Sequence, residues 1–239
     1  MTNDIEVISQ FPALTAEEII DIEKNLRNKF GYPAIPEDYK AFLGKTNGCL
    51  FEVHAEDDFV ALALNLPFMQ LASVAGIFGV WQPKYENLTG VHPEWPELFA
   101  SNQNSKENFN VLPDQMMSFA YEDESSGSFF AMSVAEEDFG KIYYYHDDYL
   151  YTLFGRKRIL ESHGYCYYDR KIEGILKKQG VNVAEIEYLR AKGHFDSEEV
   201  ISNVEGLSAE CLFELKRTKF IPIAESLDDF ISKLYLESC

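Results

Sequence analysis

The chain has 239 residues, with 21 Lys or Arg against 40 Asp or Glu and a formal charge of -19. That balance argues against the counterion-release grip on a phosphate backbone by which proteins bind nucleic acid non-specifically. A composition of 46% hydrophobic and 14% aromatic residues excludes an acidic disordered tail, and the length allows a core that folds without staples.

Along the chain, Met1 to Gln10 carry two acids and no base, so they lack the charged and apolar regions of a signal peptide. Thr15-Ala16-Glu17-Glu18 is a capping box, and Ile19, Ile22, Leu26 and Phe30 recur at helical spacing until Gly31 stops the run. Pro36, Glu37 and Asp38 open a second short helix with Tyr39, Phe42 and Leu43 on one side; Asn47-Gly48 closes it, with Gly48 left-handed. Cys49 to Val53 and Phe59 to Leu64 read as strands around the acidic linker Glu56-Asp57-Asp58. Pro67, Gly76, Gly79 and Pro83 break the next stretch, and residues 86 to 106 read as a long surface loop with one helical turn around Trp95 to Phe99.

Met116 to Tyr121, Ser128 to Val134 and Lys141 to Tyr145 predict an antiparallel meander joined by the acidic turns Glu122 to Gly127 and Glu136 to Gly140. Alternation in Ile142-Tyr143-Tyr144-Tyr145 implies either burial of both faces or one aromatic outer face. Residues 149 to 219 read as a mostly helical insertion, with helical patterns at Asp169 to Gln179 and Val183 to Lys192 and a capping box at Asp196 to Glu199. Lys219 to Ile223 is strand-like, and Ser226 caps a last helix presenting Leu227, Phe230, Ile231 and Leu234. The whole is expected to be a single domain over residues 1 to 239.

Charge is unevenly spread. Residues 1 to 148 hold 8 bases and 25 acids, whereas residues 149 to 219 hold 12 bases and 11 acids. A concentrated negative field steers a basic protein partner; the alternative is a solvated face that keeps the protein soluble. Cys49, Cys166, Cys211 and Cys239 lack metal-binding spacing and, without an export signal, are expected to be free thiols in the cytoplasm. His54 with Glu56 and Asp58, or His146 with Asp148, lacks a third ligand at any telling spacing, so no metal or cofactor is expected. No nucleophile elbow or phosphate loop occurs, and Cys49 has no nearby base in sequence to activate it, so the chain does not read as an enzyme. No run is long and apolar enough to enter a membrane, and no feature sets an oligomeric state.

Three blocks carry a resemblance. Leu14 to Ile19, Ile35 to Leu43 and Thr46-Asn47-Gly48 at the start, Gly140 to Tyr145 at the centre and Phe220 to Phe230 at the end are together similar to the Smi/Knr-type, or SUKH, superfamily. That resemblance implies an α+β fold, an antiparallel curved sheet with N-terminal and C-terminal helices packed against it. It also implies either an immunity protein that neutralises a toxin, often a nuclease, or a regulatory or scaffold protein. No catalytic residues carry over, because inhibition of this kind is binding. Asn47-Gly48-Cys49 lacks a second glycine, and the 149 to 219 stretch is longer than the family pattern.

The expected function is therefore occlusion of a basic, nuclease-like toxin. The expected contacts are Asp57, Asp58, Glu122, Asp123, Glu124, Glu136, Glu137, Asp138, Asp147 and Asp148, with Tyr145 as the aromatic. A regulatory or scaffold protein is the alternative, and an acid/base hydrolase a more distant one.

Overall fold

Thr15 caps the first helix as its neighbours dictate: its Oγ1 accepts the Glu18 N–H at 3.3 Å, and the Glu18 carboxylate accepts the Thr15 N–H at 2.8 Å. Helix α1 (Ala16–Phe30) buries Ile22, Leu26 and Phe30 and ends at Gly31, whose φ of 76° is left-handed. Helix α2 (Glu37–Leu43) follows, with Pro36 as its N-cap and Tyr39 and Leu43 buried. The structure, a computed structural model, describes residues 5–53, 58–64, 71–88, 97–108, 111–122, 128–145, 164–191 and 204–238. By contact density the chain divides into two compact units, residues 1–145 with 222–239, and residues 146–221.

The first unit is α+β. Its strands are β1 (Ile5–Ser9), β2 (Cys49–Val53), β3 (Asp58–Ala63), β4 (Leu71–Ser73), β5 (Gly76–Ile77), β6 (Met116–Tyr121), β7 (Phe129–Ser133), β8 (Ile142–Tyr145), β9 (Ile221–Ala224) and β10 (Leu234–Ser238). They form a seven-stranded open sheet in the order β1-β2-β5-β6-β7-β8-β9 and a three-stranded sheet in the order β10-β3-β4. The expected meander is present as β6, β7 and β8, antiparallel throughout. All of β7 and β8 is buried, so the open choice for the tyrosine run resolves to burial of both faces.

Several elements differ from the sequence reading. β1 was not expected, and neither was β10. The last helix, α7 (Leu227–Ser232), stops short of Leu234, and the chain instead pairs antiparallel with β3. Helical spacing included Leu234 in the sequence; its pairing with Leu62, on a strand far away in the chain, decides otherwise. Within the expected loop, Glu97 caps α3 (Leu98–Gln103) by accepting from the Phe99 and Ala100 N–H groups. Burial pushes the Glu97 carboxyl above its usual range, against the pull of those two donors.

Most of the aromatic content is core. The β6–β7 register shifts between Ser118 and Ala120, leaving Phe119 as the extra residue of a bulge. Phe119 meets Tyr39 of α2 edge-on at 6.1 Å and Phe230 of α7 at 5.4 Å; Phe230 also meets Phe130 of β7 at 5.2 Å. Helices α2 and α7 are thus fastened over the middle of the sheet by one aromatic cluster.

A buried polar latch joins the segments around β2 and β5. Asn47, with φ of 45°, donates from Nδ2 to the Pro12 carbonyl at 2.9 Å and the Val80 carbonyl at 3.2 Å, and its Oδ1 accepts the Val80 N–H at 2.8 Å. The Gln10 Oε1 accepts the Gly79 N–H at 3.2 Å beside it. The two passages are pressed so closely that a Cβ on Gly79 would fall 2.0 Å from the Asn47 carbonyl oxygen.

The second unit contains α4 (Gly164–Gln179), α5 (Val183–Ala191) and α6 (Ala209–Arg217) among its described residues. Its core is Ile172, Ile175, Leu176, Ile186, Val204, Cys211 and Leu215. Gly180 (φ 83°) ends α4, with the Val181 N–H returning to the Leu176 carbonyl at 3.0 Å as a Schellman closure. Helix α6, capped by Ser208, was not foreseen; the expected capping box at Asp196 to Glu199 lies outside the described residues.

Candidate partner-binding surface

Strand pairing decides which of the expected contact residues share a region. Tyr121 pairs with Phe129 and Phe129 with Tyr145, so Glu122 and Tyr145 belong to one end of the meander. Met116 pairs with Ser133 and Met132 with Ile142, so Glu136, Glu137 and Asp138 belong to the other end, about 13 to 16 Å away at the usual rise per residue. Glu122 and the group Glu136 to Asp138 therefore lie at opposite ends of the meander instead of in one cluster. Asp57, Asp123, Glu124, Asp147 and Asp148 lie outside the described residues, as do His54, His92, His146, His163 and His194.

At the first end the side chains serve the fold. Tyr145 is only 2% exposed and stacks on Phe129 with ring centroids 4.9 Å apart. In this arrangement it presents no contact area, because β8 is covered on both faces. Glu122 is also buried, accepting the Ser73 N–H at 3.1 Å and the Tyr144 hydroxyl at 3.0 Å, so it ties β4 of the small sheet to β8 of the large one. Asp58 is half-buried at the start of β3, opposite Ser238.

The second end is a built display. After β7, a short 3-10 turn (Glu136–Asp138) leads into Phe139 (φ -52°, ψ 124°) and Gly140 (φ 84°), and the Lys141 N–H returns to the Asp138 carbonyl at 3.0 Å. These are the angles and the bond of a type II turn, which needs glycine at its third position. Asp138 is turned inward, a position that its sequence neighbours do not reveal: its carboxylate accepts from the Ser133 hydroxyl at 2.5 Å and from the Tyr143 hydroxyl. The Gly140 N–H adds a bond to the Ser133 carbonyl at 2.9 Å. Glu136 and Glu137 stay exposed, and Phe139 is 43% exposed, unusual for so large an apolar side chain.

Two helix starts adjoin this turn. Pro36, at the head of α2, lies beside Gly140, with its Cβ 3.7 Å from where a Gly140 Cβ would be. Asp38 accepts the Leu227 N–H at 2.6 Å and so joins the head of α2 to that of α7. Lys141 pairs with Glu225 at 2.8 Å, and Lys40 pairs with Glu23 and Glu37, each at 2.9 Å. Lys40 and Lys141 are thus already engaged, while Glu37 and Glu225 remain 86% and 77% exposed and Asp228 is exposed too. Lys233, together with the Glu225 N–H, holds the Asp229 carboxyl below its usual range. The arrangement is one aromatic side chain on a fixed turn with carboxylates around it, which is the composition of an interface anchor and its polar rim.

Phe139 was missed by the sequence reading, although its place between Asp138 and Gly140 in an acidic turn was a usable signal. The cysteine at the start of β2 is structural. Burial pushes the Cys49 thiol up to about 12, so almost none is thiolate at neutral pH. Cys49 is therefore expected to resist iodoacetamide at pH 8 in the native protein and to react once the chain is unfolded in denaturant. Prompt native-state alkylation mapped to Cys49 would contradict its placement. Among the described residues, no three His, Cys, Asp or Glu side chains are grouped to hold a metal ion, and no helix is long and apolar enough to cross a membrane.

A family model, SMI1 / KNR4 (SUKH-1), matches residues 13–156, more than half of the 239-residue chain. The match includes Asn47 and Val80 of the latch, the meander and the Phe139 turn. No curated protein and no solved structure matches the chain.

Proposed function

Since the chain belongs to the SMI1 / KNR4 family (SUKH-1), a family known for immunity-type proteins, we propose that it binds a basic, nuclease-like cognate toxin and neutralises it by covering its active surface. The observation that carries this reading is the Phe139 turn. It combines a large exposed aromatic, a backbone fixed by the Asp138 and Gly140 bonds, and the exposed carboxylates Glu136 and Glu137 beside it. Fixing the turn before encounter lowers the entropy cost of binding, and the carboxylates speed approach of a basic surface. Inhibition then needs no bond chemistry from this chain: carboxylates placed where a nuclease holds phosphates compete with its substrate.

The test uses, as partner, a basic toxin-like protein encoded beside this chain and co-purified with it. Replacing Glu136 and Glu137 together by lysine is expected to slow association about tenfold at low ionic strength, with the difference shrinking as salt rises. Stopped-flow kinetics across a salt series checks this. An association rate that neither the double replacement nor salt alters rejects this surface as the steering element.

A further inference from the structure

Among the described residues, strand β1 is the terminal strand of the large sheet, with β2 on one side only. Its register runs from Ile5 opposite Val53 to Ser9 opposite Cys49, and the next pair is bonded, the Gln10 N–H donating to the Gly48 carbonyl at 3.0 Å. Bonded and non-bonded pairs alternate along an antiparallel ladder. Ile8 and Glu6 therefore direct their backbone groups at β2, while Ile5, Val7 and Ser9 direct theirs outward along the edge.

The two faces of this β1–β2 ribbon differ. On one, Val7 (41% exposed) is opposite Phe51 and Ile5 is opposite Val53, all at least partly exposed. On the other, Glu6 is directly opposite Glu52; both are exposed, and neither forms an ion pair among the described residues. Like charges at directly opposed positions destabilise a strand pair. A charge on an edge strand also guards against indiscriminate pairing, and here it is selective: a second copy, or any acidic or neutral strand, leaves the repulsion in place, whereas a basic one relieves it.

We propose that the β1 edge accepts an extended segment of a basic partner protein in which apolar residues alternate with Lys or Arg. An added strand lies 4.7–4.9 Å from β1 and bonds to the outward groups of Ile5, Val7 and Ser9. The residue opposite Val7 then extends the Val7–Phe51 face, and its sequence neighbours place their cations beside Glu6. This surface is separate from the Phe139 turn, and the inference holds whether or not that turn binds a toxin.

The probe is the synthetic peptide Lys-Val-Lys-Val-Lys-Val-Lys, compared by titration calorimetry and amide NMR with a peptide of the same composition in block order. The alternating peptide is expected to bind at least tenfold tighter, with its largest amide shifts at Ile5, Val7 and Ser9. Val7→Pro removes an outward N–H without taking a bond from β2, so it is expected to reduce binding at least tenfold; Glu6→Lys is expected to do the same. If Val7→Pro fails to fold, methylating alternate backbone nitrogens of the peptide tests the same bonds with the protein unaltered and is expected to abolish binding. Equal affinity for the two peptides, or binding that survives both the proline and the methylated backbone, overturns the proposal.

Discussion

Replacing Asn47 by alanine is expected to destabilise the first unit by about 3 to 5 kcal/mol, read as a shift in the denaturant midpoint at constant slope. Asn47 is fully buried and satisfies the Pro12 carbonyl and both backbone groups of Val80. Alanine leaves both backbone groups of the buried Val80 without a partner, at about 1 to 3 kcal/mol for each unsatisfied group, while the Pro12 carbonyl keeps only the longer bond from the Tyr85 hydroxyl at 3.4 Å. It must also adopt a φ of 45°, which asparagine tolerates better than alanine and which costs alanine about 1 kcal/mol more. The Asn47→Gly variant separates the two effects, because glycine loses the bonds but not the backbone freedom. It is expected to fall about 1 kcal/mol short of the alanine loss. An alanine variant within 1 kcal/mol of the wild type would contradict the latch.

Phe139→Ala addresses function. If the turn is the anchor of the partner interface, truncation is expected to weaken binding by about 2 kcal/mol or more, roughly 30-fold, mainly through faster dissociation. The same change is expected to alter folding stability by no more than about 1 kcal/mol, because the ring is 43% exposed and the turn is held by Asp138, Ser133 and Gly140 instead. Surface kinetics with the proposed toxin partner and a denaturant curve on the same variant separate the two effects. Unchanged dissociation in a well-folded Phe139→Ala protein moves the interface elsewhere on the molecule.

Much of the fold was legible because its signals are local. The Thr15–Glu18 box, the Gly31 stop and the alternation of β6 to β8 each rest on residues within a few positions of one another. β1 and β10 were not legible, since a five-residue edge strand is defined by a partner far along the chain: Ile5 finds Val53, and Leu234 finds Leu62. Helix α3 was legible only as a single turn around Trp95 to Phe99, because its cap, Glu97, follows a segment rich in proline and asparagine. The site was read only in part. The acidic turn at Glu136 and Glu137 is visible in the sequence, but an acid cannot reveal whether it faces water or, like Asp138, a hydroxyl of its own fold. Tyr145 failed as a contact for a related reason: alternation assigns a side chain to a face and says nothing of what covers that face.

The pairing of β10 with β3, and the place of Phe230 in the aromatic cluster, govern how the protein emerges from the ribosome. The first unit needs residues near position 60 and residues beyond 226 at the same moment, so its nascent N-terminal portion must wait, incompletely covered, while everything between is synthesised. The second unit has a core of its own, drawn from residues 172 to 215, that takes no residue from the late-closing strand β10. Assembly during translation is therefore expected to run out of chain order, the interior segment first and the flanking one last.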